Sequence, residues 1–283
     1  MQVWDAQFAT RSPMFAPLRS FAGALEGAAW PSPERLNALA NRTAILSGGG
    51  QPLRFASPSR HPAPAMADYE LCIHDNGVAL LREANWHDLF NALVWLAFPR
   101  TKAALNRSHA GAIREQGTRT RNARRDALTL FDESGILVLS CSRAVLERLR
   151  AFEWRRVFWD EQEALLRTTR FVIFGHALYE KALSPYVGMS GHALLLDTPA
   201  AFDLSDEPAL LAYADAVSAA AVPERLVHPR DLSPLPVLGV PGWWDANREA
   251  AFYANTDYFR RGRTRQGAQG AQGAQDVRAD TTG

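Results

Sequence analysis

With 283 residues, 47% of them hydrophobic, the chain is long enough for one large domain or two small ones and for a substantial core. Lys plus Arg (31) balances Asp plus Glu (30), which excludes whole-molecule steering toward nucleic acid or an anionic membrane and makes every charge argument local. Two widely separated cysteines in apolar surroundings, Cys72 and Cys141, exclude a disulfide-dense scaffold and, a single bridge aside, suit free thiols in a reducing compartment.

The N-terminal Met1-Gln2-Val3-Trp4-Asp5 lacks a basic segment followed by an apolar core, so no secretory signal is read. The apolar runs near Leu93–Phe98 and Phe171–Leu178 fall short of the ~20 residues that a membrane span requires. The expectation is a soluble, cytoplasmic protein with no membrane partner. Residues 1–67, rich in Ala, Pro, Gly and Ser, read as an arm packing on the body. Within the arm, Ser32 caps a helix whose first turn holds Pro33 and whose face carries Leu36 and Leu39. Breaks follow at Gly48-Gly49-Gly50 and at Pro58, Pro62 and Pro64.

The main domain is read over residues 68–260. Tyr69–His74 and Val78–Leu81 flank Asp75-Asn76-Gly77, whose Asn-Gly supplies positive φ, and so predict a β-hairpin. Asn85 and Asp88 have the spacing of an N-cap and its reciprocal residue, opening a helix with Trp86, Leu89, Phe90, Leu93 and Ala97 on one face and Pro99 at its end. A second helix carries Lys102, Asn106 and Ile113. After an arginine-rich segment, Gly135 turns into a buried strand, Ile136–Ser140. Ser142 caps a helix through Val145, Leu146, Leu149 and Phe152, another helix holds His176, Tyr179 and Glu180 and ends before Pro185, and His192–Leu196 reads as a strand. The tail, residues 261–283, repeats Gly-Ala-Gln and is expected to be disordered, because it cannot bury enough apolar surface to offset its ordering entropy. The class is α+β: one helix-rich body with a β-hairpin and a small sheet.

The string Asn85–Trp95 with Phe98-Pro99, Lys102, Leu105-Asn106 and His109 resembles the signature of an uncharacterised bacterial family, domain of unknown function 3025. Arg125–Glu133 is similar to its second block, Phe174–Lys181 to its third, and Pro241-Gly242-Trp243 through Asn247, Phe252-Tyr253 and Tyr258–Arg260 to its closing block. The resemblance runs from about Trp30 to Arg260 and implies no activity that could be carried over.

Chemistry therefore rests on side chains. His87, His109 and His176 each lie on a predicted helix beside a second polar group, and His176 with Glu180 has the i, i+4 spacing of one helix face. Lys102, Asn106 and His109 share another face. Should these helices converge, His87, His109 and His176 would hold a divalent metal, with Asp88 and Glu180 as the catalytic carboxylates beside a metal-activated water. The plain alternative is that Asp88 serves the cap, Asn91 and Asn106 bond to backbone, and the histidines only pack.

The basic segment Arg114, Arg119, Arg121, Arg124 and Arg125 suits a phosphate or carboxylate, so Asn91, Lys102, Asn106, Arg124 and Arg125 are the ligand-binding candidates and an anionic small molecule the candidate partner. A nucleic-acid backbone stays as an alternative, though no aromatic platform is interleaved to stack bases; a solvated surface loop is the plain one. Gly188-Met189-Ser190-Gly191 misses nucleophile-elbow spacing and reads as a turn, Cys141 as a structural thiol, and the tryptophans as packing. The leading functional reading is a metal-assisted hydrolase of an anionic small molecule or phosphoester. Set against it are a non-catalytic nucleic-acid or anionic-ligand binder and a structural or interaction protein.

Overall fold

The structure, a computed structural model, describes residues 2–58, 66–116, 122–199 and 205–262. The N-terminal half comprises α1 (Arg19–Ala24), α2 (Pro33–Arg42), β1 (Arg54–Ala56), α3 (Met66–Asn76), β2 (Val78–Leu80), α4 (Trp86–Ala97), α5 (Pro99–Gln116) and α6 (Ala123–Ser134). There follow β3 (Gly135–Ser140), α7 (Arg143–Arg150), α8 (Gln162–Thr168), β4 (Thr169–Ile173), α9 (His176–Ala182), β5 (Ser190–Asp197), α10 (Glu207–Arg225) and β6 (Ser233–Pro236). This is an α+β fold. The arginines at 119 and 121 and the tail from residue 263 onward, expected to be disordered, lie outside the described residues.

Several helices start where a side chain can accept an orphan amide. Ser32 takes that of Arg35, Asn85 that of Asp88 at 2.9 Å, Asn122 that of Arg125 and Ser142 that of Val145. The reciprocal half of the predicted box on α4 is replaced: the Asp88 carboxylate accepts the amide of Arg82 at 2.8 Å and also its guanidinium. The helix from Ser142 stops at Arg150, short of Phe152, which stands at φ +60°.

The expected hairpin does not form. Tyr69–His74 belongs to α3, and Asn76-Gly77 closes that helix, with Gly77 at φ +67° and its amide on the Ile73 carbonyl at 2.9 Å. A hairpin turn and a helix end both demand positive φ, so Asn-Gly satisfies either, and the packing of α3 on α5 decides between them. Only Val78–Leu80 is extended, and it pairs in parallel with β1, α3 serving as the crossover a parallel pair needs.

The larger sheet runs β4-β3-β5-β6, with β3 and β5 parallel and the outer pairs antiparallel. All six residues of the inner strand β3 are buried, which is why Ile136–Leu139 reads as an unbroken apolar run. Edge strand β6 carries Pro234 and Pro236, which lack amides and blunt its pairing edge. The N-terminal residues supply core: Phe8, Phe15, Leu18 and Leu25 are at most 1% exposed, and Phe15 stacks on Phe90 of α4 and Tyr179 of α9. Both cysteines are free, and among the described residues no helix is long and apolar enough to cross a membrane.

In β5, His192 faces Ser134 Oγ at 2.8 Å, and burial, then the nearby Lys181 charge, hold its pKa below the ordinary histidine value. Between the folded and unfolded values the unfolded chain binds the extra proton, so this residue's contribution is present above about pH 6.5 and is lost as pH falls below it. Urea unfolding of His192→Gln between pH 7.5 and 5 should give a flatter stability curve than the parent. Parallel curves would refute the assignment.

Candidate metal centre

Three helices bring their functional side chains to one point. The Asn85 cap fixes the first turn of α4 and so places His87. Helix α9 begins with His176 directly after β4, and the Gly135 carbonyl accepts the amides of both Phe174 and Gly175, at 3.0 and 2.9 Å. Gly175 lies so close against Ser134 and Gly135 that no Cβ fits there. That approach clamps the start of α9 to the end of α6, bringing His176 beside Glu133.

The two imidazole Nε2 atoms are 3.1 Å apart, their rings nearly perpendicular at 78°. Glu133 Oε2 is 3.6 Å from His176 Nε2, and ligand atoms of His87, Glu133 and His176 all lie within 4.8 Å of one another. His176 is 5% exposed at its side chain, His87 33% and Glu133 41%, so the cluster is closed behind His176 and open in front. Separations of this size are those at which two imidazoles and a carboxylate could hold one divalent ion.

The other ring nitrogens face carboxylates. His87 Nδ1 is 3.1 Å from Glu180 Oε2, and His176 Nδ1 is 3.7 Å from Asp132 Oδ2. Burial first, with the Lys102 and His87 charges after it, pushes the His176 pKa down to about 4 against the pull of Asp132, so this ring is neutral at pH 7 with one N–H. Two arrangements fit the 3.1 Å separation: a ring N–H of one histidine donating to the Nε2 of the other, or both Nε2 lone pairs turned toward one cation. The carboxylate of Glu133 alongside supplies a third ligand atom for the second of these arrangements.

Behind His176 runs a buried polar chain. Lys102 Nζ donates to Asp132 Oδ1 at 2.6 Å and to Asn91 Oδ1 at 2.8 Å, and Asn91 Nδ2 donates to the Tyr69 hydroxyl at 3.2 Å. Burial alone would raise the Asp132 pKa, but Lys102 and His176 together outweigh it and hold the carboxyl below its usual range. Glu133 is displaced upward, by burial and then by the neighbouring Asp132 charge, while burial lifts the Tyr69 phenol.

Of the residues singled out in the sequence, His87, His176 and Glu180 meet, and Asn91 and Lys102 stand behind them. His109 does not join the cluster; with Asn106, Lys102 and Asp132 it lines a cavity of about 10 Å³, the size of one water. Asp88 is engaged by Arg82. Asn106 braces the fold, accepting the Gly48 amide and donating to the Glu70 carbonyl and carboxylate. Arg124 donates to the Pro223 carbonyl in the last turn of α10, and Arg125 is buried with interactions of its own. The sequence reading missed Asp132 and Glu133, whose signal was an adjacent acidic pair near the end of α6. It also missed Arg82, whose side chain is 61% exposed and which feels the Glu180 charge.

The family model described as protein of unknown function (DUF3025) matches residues 53–263. Searches of curated proteins and of solved structures return no match.

Proposed function

Since the chain belongs to the DUF3025 family, whose description names no activity, we propose from the geometry that it is a metal-assisted hydrolase whose divalent ion is held by His87, His176 and Glu133. The observation that carries this reading is the pair of Nε2 atoms 3.1 Å apart, each ring backed by a carboxylate, with a third carboxylate beside them. Bound there, such an ion polarises a carbonyl or phosphoryl oxygen and brings the pKa of a coordinated water toward about 7.

The chain's residues divide the remaining work. Glu180 orients His87 through the Nδ1 contact, and Asp132 holds a negative charge 3.7 Å behind His176 Nδ1. The exposed front, between His87 and Glu133, is where a substrate enters. Lys102 is committed to Asp132, whereas Arg82, paired with Asp88 through Nε and Nη2, is 61% exposed at its side chain and feels the Glu180 charge, so we assign it the acid group of an anionic ester at this rim. This supports a small phosphoester or other anionic ester as substrate.

Elemental analysis of protein purified without an affinity tag, beside His176→Ala and Glu133→Gln, tests the centre. Near-stoichiometric metal in the parent and its loss in His176→Ala, with both chains still folded by circular dichroism, is the expected result. The metal-loaded parent should then hydrolyse p-nitrophenyl phosphate, with KM raised in Arg82→Gln. Failure to retain metal after reconstitution with zinc, manganese and iron would overturn the proposal.

A further inference from the structure

A second concavity, sharing no residue with the histidine cluster, opens where the start of β5 and the end of β6 meet the C-terminal 3-10 turns. Its volume is about 370 Å³, within the range of small-molecule sites and far beyond a packing defect. Phe152, Trp154 and Tyr258 line it together with Leu235. Their polar atoms are already spent: Trp154 Nε1 donates to the Arg260 carbonyl at 2.8 Å, and the Tyr258 hydroxyl donates to the Met189 carbonyl at 2.7 Å. These side chains therefore offer ring faces and edges, not donors.

Phe152 is held in an uncommon state. It stands at φ +60°, a strained backbone for an aromatic residue, and the Gly262 backbone lies so close against its ring that no Cβ fits. The chain keeps this ring at the cavity wall at a conformational cost. The unspent polar groups at the wall are cationic in excess. Arg260 uses its Nε on the Asp257 carbonyl, Arg261 is exposed, and neither guanidinium has a carboxylate partner among the described residues. Asp257 is the one carboxylate lining the same space.

We infer that this cavity binds one small organic anion with a flat apolar body, the body set against Phe152, Trp154 and Tyr258 and the acid group taken by Arg260 and Arg261. The inference does not depend on the metal centre. Aromatic walls locked by hydrogen bonds favour a rigid planar molecule over a flexible chain, since little freedom remains to be lost on binding.

The test uses 8-anilinonaphthalene-1-sulfonate, an aromatic anion, beside its neutral relative N-phenyl-1-naphthylamine, both titrated against full-length protein by probe fluorescence. One sulfonate per chain is expected. The Arg260→Ala/Arg261→Ala double variant should bind it at least about tenfold more weakly, the loss of charge-assisted hydrogen bonds, with the neutral probe unchanged. Ser190→Trp, which fills the cavity from an exposed position, should abolish binding of both. The substituted side chains are all exposed, and the Trp154 bond runs to the Arg260 backbone, so the fold persists, as thermal melting would confirm. Sulfonate binding undiminished in Ser190→Trp would place the probe elsewhere, and undiminished binding in the double arginine variant would remove the anion from the proposal; either overturns it.

Discussion

Lys102→Met is expected to destabilise the protein by about 3–5 kcal/mol, the range for breaking a buried ion pair by removing one partner. Lys102 and Asp132 are 6% and 15% exposed at their side chains, so bulk solvent does little to screen the stranded carboxylate. Methionine keeps the volume and the contact with Trp95, whose ring centroid lies 5.4 Å from Nζ, but leaves Asp132 facing Asn91 and His176 without its cation. Adding Asp132→Asn removes the stranded charge, so the double variant should be more stable than Lys102→Met alone. Urea unfolding of the parent, both single variants and the double variant closes the thermodynamic cycle, and additive losses would show that the two side chains are not coupled. Asp132→Asn also bears on the metal centre. Loss of the carboxylate behind His176 should weaken metal retention by about 10–100-fold, the usual effect of removing an outer-shell partner.

Phe15→Ala should cost about 3–5 kcal/mol, comparable to other buried aromatic truncations. The ring is fully buried, 6.0 Å from Phe90 and 5.9 Å from Tyr179 between centroids, and meets Phe8 edge-on at 5.5 Å. It therefore sits where α4 and α9 come together, the two helices that carry His87 and His176. Removing it should lower metal retention as well as Tm, although Phe15 touches neither histidine. A variant that unfolds at the parent's temperature would refute the packing role, and one that is destabilised yet keeps full metal affinity would uncouple the aromatic layer from the site.

The parts of this molecule legible from sequence were those with local causes. Caps at Ser32, Asn85 and Ser142, the helices of His87, Lys102 and His176, and the buried run of β3 follow from spacing and side-chain chemistry within a few residues. Asp75-Asn76-Gly77 was misread because one local conformation, positive φ, serves two larger structures. The site was half legible. The spacing of His176 and Glu180 put both on one helix face, but it could not tell that Glu180 would reach across to His87 and not back to its own neighbour. Glu133 entered through a tertiary event, the clamp of Gly175 against Ser134 and Gly135, which leaves no periodicity in the chain. His109 looked equivalent to the other two histidines, but α5 carries it to the water-sized cavity beside Lys102 and Asp132.

The aromatic layer has a further consequence for where this protein can be divided. The family model matches only from residue 53, later than the Trp30 read from the sequence, whereas Phe8, Phe15, Leu18 and Leu36 are fully buried in the same core as Phe90 and Tyr179. Recurrence among relatives and cooperative folding thus draw different borders. A chain trimmed to the recurring segment would bare the rings of Trp86, Phe90 and Tyr179 together, a contiguous sticky face of the kind that drives self-association. Such a fragment should be lost to precipitation however intact its own sequence, because the leading fifty residues act as an intramolecular solubiliser for the histidine helices.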